Sequence, residues 1–175
     1  FARQMKFDAS DNLWMSHSSP YITRLSSGGV KTEYGTTTDG DIDGNASTAR
    51  FRDSRGVAIT DDDIVYVGQN KTIRKIYNGN VSTYAGSPSS SGTTDAVKTA
   101  ARFSTSVKGM VHFDGNIYIV DDGNNRIRAM DDSGSVSTLA GSSSGYADGT
   151  GTAAKFSVLL EDIDVDQAGN LYLTD

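Results

Sequence analysis

The chain has 175 residues, a formal net charge of −6, no cysteine, 19 Gly and only 2 Pro. The absence of Cys excludes disulfide frameworks, Cys-ligated zinc and thiol catalysis; the negative charge argues against a nucleic-acid partner, which needs a clustered positive field. No apolar run reaches the length of a membrane-spanning helix, and the mixture of β-branched, aromatic and turn residues predicts an all-β chain.

In chain order the elements repeat. Phe1 is followed by three Ala-(Arg/Lys)-Phe triplets ending at Phe51, Phe103 and Phe156, a period of just over fifty residues. Within each period a first strand alternates apolar and polar residues: Gln4 to Asp8, Gly56 to Thr60, Met110 to Asp114 and Asp162 to Asp166. Phe7, Ile59, Phe113 and Val165 stand in register on this reading, so that Asp164 aligns with Lys6, Ala58 and His112. A tight turn follows, Asp114-Gly115-Asn116 being the strongest hairpin signal. Second strands read Leu13-Trp14-Met15, Val65-Tyr66-Val67, Ile117-Tyr118-Ile119 and Leu171-Tyr172-Leu173, each with a central aromatic expected in the core between units. Third strands run over Ile22–Leu25, Ile73–Ile76 and Ile127–Met130; fourth strands start at Val30, Val81 and Val136 and end near Gly35, Gly86 and Gly141.

The pattern therefore predicts four-stranded antiparallel units, each followed by a loop of roughly 15–20 residues, with repeats over 1–50, 51–102 and 103–155 and an incomplete one over 156–175. A lone meander cannot bury both faces, so radial stacking into a β-propeller is the expected architecture. Three complete blades plus the first two strands of a fourth cannot close a ring. The expectation is that this is part of a single propeller domain, the remainder coming from the same or another chain, or from other copies of itself.

The stretch Asp114-Gly115-Asn116-Ile117-Tyr118-Ile119-Val120-Asp121-Asp122-Gly123-Asn124-Asn125-Arg126-Ile127-Arg128 resembles the NHL repeat of β-propeller proteins. So does Thr138-Leu139-Ala140-Gly141 followed by Ala147 to Phe156. The first unit departs most, carrying Ser16-His17-Ser18-Ser19-Pro20 in place of the Asp-Gly-Asn-Asn-Arg type of turn seen at Asp122 to Arg126. The resemblance implies a propeller, commonly of about six blades, and mostly a binding role.

Several residues are candidates for chemistry. Asp39-Gly40-Asp41-Ile42-Asp43-Gly44 has the form of a calcium loop, which makes Asp39, Asp41 and Asp43 weak calcium candidates, and no other cofactor is expected. Its twelfth position is Arg50 rather than a bidentate Glu. Asp43 also repeats as Asp95 and Asp148, eight residues before each Phe, which reads as a loop-capping carboxylate. Arg74 and Arg128 share a third-strand position and read as partners of the Asp-rich turns, with Thr23 in that place in the first unit. His112 and Asp164 are candidate channel-lining residues. Asn45, Asn70 and Asn80 begin Asn-x-Ser/Thr sequons in predicted loops or turns. These fit a secreted or cell-surface glycoprotein; no targeting signal is visible from Phe1 onward. No G-x-S-x-G elbow occurs, and the only histidines, His17 and His112, fall in different parts of the unit.

The function expected first is a non-catalytic module binding a protein, peptide or glycan. A structural building block of an extracellular assembly or filament is the alternative. Part of a propeller lyase or lactonase comes third.

Overall fold

The computed structural model describes residues 1–174; residue 175, the last of the expected fourth repeat, lies outside the described residues. Alternating strands of four to seven residues pair with their sequence neighbours, because short turns leave each strand nowhere nearer to find a ladder. Strands β1 (Ala2–Phe7), β2 (Leu13–His17), β3 (Ile22–Leu25) and β4 (Lys31–Tyr34) form the first antiparallel sheet in that order. The second sheet holds β5 (Gly44–Asn45), β6 (Gly56–Ile59), β7 (Val65–Gln69), β8 (Thr72–Tyr77) and β9 (Asn80–Gly86), ordered β5-β9-β8-β7-β6. The third repeats this with β10 (Ala96–Val97), β11 (Val107–Phe113), β12 (Asn116–Asp121), β13 (Arg126–Asp131) and β14 (Ser135–Ala140). The fourth contains β15 (Ile163–Val165) and β16 (Leu171–Leu173). The only helical pieces among the described residues are three-residue 3-10 turns at Lys98–Ala100, Asp122–Asn124 and Gly151–Ala153.

The cores lie between sheets, which makes the arrangement propeller-like. Trp14, Ile22 and Tyr34 of the first sheet meet Val57, Val65 and Val67 of the second over Phe51. Ala58, Tyr66 and Ile73 meet Met110, Ile119 and Val136 over Phe103. Val111, Val120 and Ile127 meet Leu160 and Ile163, with Phe156 at the margin. Each repeated Phe thus plugs the joint between the preceding unit and its own. Gly35, Gly86 and Gly141 end the sheets with φ of +112°, +83° and +89°. A Cβ there would stand 2.9–3.0 Å from the rings of Phe51, Phe103 and Phe156. Glycine therefore serves twice, for backbone sign and for room.

Three expectations are corrected. The second and third sheets have five strands, not four, because Gly44–Asn45 and Ala96–Val97 of the long loops add to the outer edges of β9 and β14. The register of the third unit is offset by one. Its inner hairpin closes with the two residues Asp114 and Gly115, both at positive φ, and pairs Phe113 with Asn116. The other inner hairpins pair Phe7 with Leu13, Ile59 with Val65 and Val165 with Leu171 across five-residue turns. Hence Val111, opposite Tyr118, is the equivalent of Lys6, Ala58 and Asp164; His112 is the equivalent of Phe7, Ile59 and Val165. Finally, Trp14 and Tyr66 are buried and Tyr118 is half-buried, but Tyr172 is 61% exposed, since no described sheet covers the far face of β15 and β16.

Candidate functional site

The corrected register brings equivalent inner-strand positions of the four units into line. Met5, Val57, Met110 and Ile163 are equivalent, each opposite the third residue of its second-strand triplet. One residue earlier stand Gln4, Gly56, Gly109 and Asp162; one earlier again stand Arg3, Arg55, Lys108 and Glu161. Seven of these eight, all but Gly56, line a cavity of about 280 Å³ where the inner strands converge. The strands meet closely here. The Gly109 N–H donates to the Glu161 carbonyl at 3.0 Å, and a Cβ on Gly109 would fall 2.6 Å from the Cα of Asp162.

Gln4 forms the floor. Its Oε1 accepts from the N–H of Val57 (2.6 Å) and of Met110 (3.2 Å). Its Nε2 donates to the Met110 carbonyl (3.1 Å) and to Asp162 Oδ1 (2.7 Å). One buried amide thereby uses its full bonding capacity across all four units.

The rim is charged. Asp53 accepts from Arg3 and from Arg55, whose Nε lies 3.0 Å away. Partial burial pushes the Asp53 carboxyl up, but the hydrogen bonds and charges of Arg3 and Arg55 outweigh this and hold it below the usual carboxylate range. Lys108 Nζ is buried between Glu161 at 2.6 Å and Asp122 at 3.2 Å. About a third of the Arg3 and Arg55 side chains and 62% of Glu161 remain open to solvent. The mouth therefore presents guanidinium donors beside a carboxylate acceptor, a pairing suited to polar, hydrogen-bonding ligands.

The residues singled out in the sequence go elsewhere. Asp39 is exposed, Asp41 accepts from Arg52 (3.1 Å) and Gln69 (2.6 Å), and Asp43 accepts from Arg74 (2.8 Å) and Thr83. Protein cations thus occupy Asp41 and Asp43, and among the described residues no group of three or more His, Asp or Glu side chains is placed to hold a metal ion. His112 packs between the second and third units with Nδ1 3.8 Å from Asp61, because its true register position faces back toward the second sheet. Asp164 lies 3.4 Å from Lys6 Nζ. His17 Nε2 is 2.9 Å from Thr23 Oγ1, and burial pushes its imidazole down. Asn45 and Asn80 are exposed and are ladder partners on β5 and β9; Asn70 is half-buried with its Oδ1 enclosed.

Sequence reasoning missed the mouth. Its signal was present, because Arg3, Arg55, Lys108 and Glu161 occupy one place in the repeat, but only the hairpin lengths reveal the equivalence.

No protein-family model matches the sequence, and no curated protein matches it. Solved structures do. A structural genomics protein of unknown function from Bacteroides thetaiotaomicron superposes with a TM-score of 0.74 at 25% identity, over 97% of this chain and 43% of that one. An auxiliary nutrient binding protein from Bacteroides ovatus gives a TM-score of 0.71 at 18% identity, over 98% and 45%. Another auxiliary nutrient binding protein, from Bacteroides thetaiotaomicron, gives 0.69 at 18% identity, over 94% and 43%. The chain spans less than half the length of each of these structures.

Proposed function

We propose that this chain is part of an NHL-type β-propeller that serves as a non-catalytic binding module, holding a polar group of a peptide or glycan at the mouth lined by Arg3, Arg55 and Glu161. One observation carries this reading. The repeat keeps its wedge-forming positions alike, yet places different charged residues at an inner position that lines a cavity. The guanidiniums are oriented in advance by Asp53, so little side-chain freedom remains to be lost on binding. Placement outside the cell belongs to the same reading, with Asn45 and Asn80 as the exposed acceptors for sugar.

The test is a binding screen of the chain on printed arrays of peptides and oligosaccharides. Replacing both Arg3 and Arg55 by Ala is expected to reduce binding of the array ligands at least about tenfold, the scale of losing charge-assisted hydrogen bonds. Asp39→Asn, in an exposed loop, should leave it unchanged. Array ligands that bind the double variant as well as the parent would refute the assignment.

A further inference from the structure

The mouth lies where β1 and β6 begin; a second cavity lies beyond their other ends, in the joint between the first and second units. It is about 260 Å³ in volume, with Trp14, Arg24 and Tyr34 on one wall and Asp63, Ile76 and Gly79 on the other. The Trp14 and Tyr34 rings lie 5.1 Å apart, and the Arg24 guanidinium sits 5.8 Å from the centre of the Trp14 ring. Arg24 is half-buried and its Nε is enclosed, yet among the described residues it makes no hydrogen bond or ion pair. Every other arginine that is not exposed has an oxygen partner. Arg55 has Asp53, Arg74 has Asp43, Arg128 has Asp95 and Asp121, and Arg102 and Arg126 reach the carbonyls of Thr99 and Thr93.

The next joint carries the same positions but closes them. Arg24 pairs with Trp14 and Thr32 as Lys75 pairs with Tyr66 and Ser82, and a tyrosine, Tyr34 or Tyr84, follows two residues on. The hairpin against Tyr84, between β13 and β14, turns on three residues, Asp132 to Gly134. Its Asp132 carbonyl accepts from the Tyr84 hydroxyl at 3.2 Å. Lys75 and Lys98 each lie 5.5 Å from the centre of the Tyr84 ring, and a Cβ on Gly134 would come 3.2 Å from that ring. The hairpin against the first unit turns on only two residues, Asn78 and Gly79, and a Cβ on Gly79 would meet nothing within 4 Å. The shorter hairpin leaves the first joint open. The carboxylates beside it are already engaged. Asp8 accepts from the N–H groups of Ser10 and Asn12, the Asn12 amide and the Trp14 indole, and Asp63 Oδ1 accepts from the Ala9 N–H at 2.9 Å.

We propose that this groove binds a small carboxylic acid with an apolar body, its carboxylate paired with the Arg24 guanidinium and its body against Trp14, Tyr34 and Ile76. A half-buried guanidinium beside an open cavity calls for acceptor oxygens, and a carboxylate meets its planar fork with two parallel hydrogen bonds. A carboxylate brings one negative charge past Asp8 and Asp63, where a phosphate would bring more. The aromatic and aliphatic walls suit an apolar body over a polyhydroxylated one. The volume falls short of pockets that hold drug-sized molecules, which limits the ligand to a free acid or the last residue of a peptide. The site is separate from the mouth and stands whether or not the mouth binds.

Trp14 is the only tryptophan of the chain, so its fluorescence reports on this groove. The full chain is titrated with N-acetyl-L-phenylalanine, which stands for a peptide C-terminus, with phenylpropionate, which stands for a free acid, and with N-acetyl-L-phenylalaninamide, which lacks the charge. At least one acid is expected to change the Trp14 signal saturably and to bind at least about tenfold more tightly than the amide. The tighter of the two acids identifies the source. Arg24→Ala should weaken that binding at least about tenfold. Arg24→Lys installs the residue that the second unit carries there, keeps the charge, and should still weaken binding at least about threefold, because an ammonium has no fork. If Arg24→Ala loses its near-ultraviolet circular dichroism, Arg24→Lys decides alone. Arg50→Ala, at an exposed position outside the groove, should change nothing. The proposal is overturned if neither acid binds, if the acids bind no better than the amide, or if Arg24→Lys binds as the parent does. Glucuronate or inorganic phosphate bound more tightly than either acid would equally overturn it.

Discussion

The inner and outer ends of the units obey opposite rules. At the outer end the second and third units repeat one fastening: Arg74 lies over Phe51 and Arg128 over Phe103, and each donates to a carboxylate, Asp43 or Asp95, that also accepts from Thr83 or Thr138. At the inner end equivalent positions hold Arg3, Arg55, Lys108 and Glu161, and behind them Gln4, Gly56, Gly109 and Asp162. The difference separates two tasks. Radial wedges need the same fastening at every joint, so its chemistry recurs. The inner strands converge, so one long side chain from one strand serves several, and glycine at Gly56 and Gly109 lets neighbouring strands approach, a Cβ there falling 2.1 Å from the Lys108 carbonyl oxygen and 2.6 Å from the Asp162 Cα.

This contrast can be broken most forcefully at Arg128. Its carboxylate partner Asp121 is fully buried, and Asp121 also accepts from the Ser104 N–H and from Asn124. Removing the guanidinium by Arg128→Ala strands a buried charge, and urea denaturation should show a loss of about 3–5 kcal/mol. Arg74→Ala should cost less, about 1.5–3 kcal/mol, because its partner Asp43 is half exposed and regains water. Equal losses would mean that Asp121 contributes nothing beyond the repeated fastening.

A second, intermediate effect sharpens the inner side of the comparison. Gln4→Ala leaves the Val57 and Met110 N–H groups and the Met110 carbonyl without their side-chain partner inside the convergence of the strands. The expected loss in the same assay is about 2–3 kcal/mol, with Gln4→Glu also destabilising because a carboxylate cannot donate to Asp162. A neutral Gln4→Ala would show that the inner strands hold together by packing alone.

The smallest effect is pH dependence, and it compares one carboxylate from each end. Burial pushes Asp95 up, but hydrogen bonds from Thr138 and Arg128 outweigh it, so its folded pKa lies below its unfolded value, as it does for Asp53 at the mouth. A depressed carboxyl contributes stability that is complete above the unfolded value of about 3.9 and is lost as pH falls through the folded value. Denaturation midpoints should therefore stay level from neutral pH to about pH 5 and fall below about pH 4. Asp95→Asn should lower the neutral-pH plateau and flatten the acid decline; an unaltered decline would place the acid sensitivity at other carboxylates, Asp53 among them.

Much of the architecture was legible because period 2 and turn chemistry are local. The strands of all four units, the glycines that end the sheets, and the pairing of Arg74 and Arg128 with repeat aspartates followed from spacing. The short strands β5 and β10 did not, because a two-residue strand carries no periodicity and forms only where a neighbouring edge is offered. His112 was misplaced for a related reason. Relative to the second unit, one extra residue lies between Phe103 and Met110 and one fewer between His112 and Ile117, so the two cancel in the repeat length, and counting along the chain cannot see compensating shifts. Asp39, Asp41 and Asp43 looked like a cation loop because alternation along a chain resembles convergence in space. Folding turned two of them toward Arg52 and Arg74 instead.

Sequence by itself determined that this protein is built of fifty-residue β units and which faces of their strands are apolar, since both are properties of neighbouring residues. Tertiary structure alone decided which inner-strand side chains meet at the cavity and how Gln4 joins the units. Those outcomes depend on how separate strands converge, and convergence is a relation between residues 53 to 158 positions apart that no local pattern encodes.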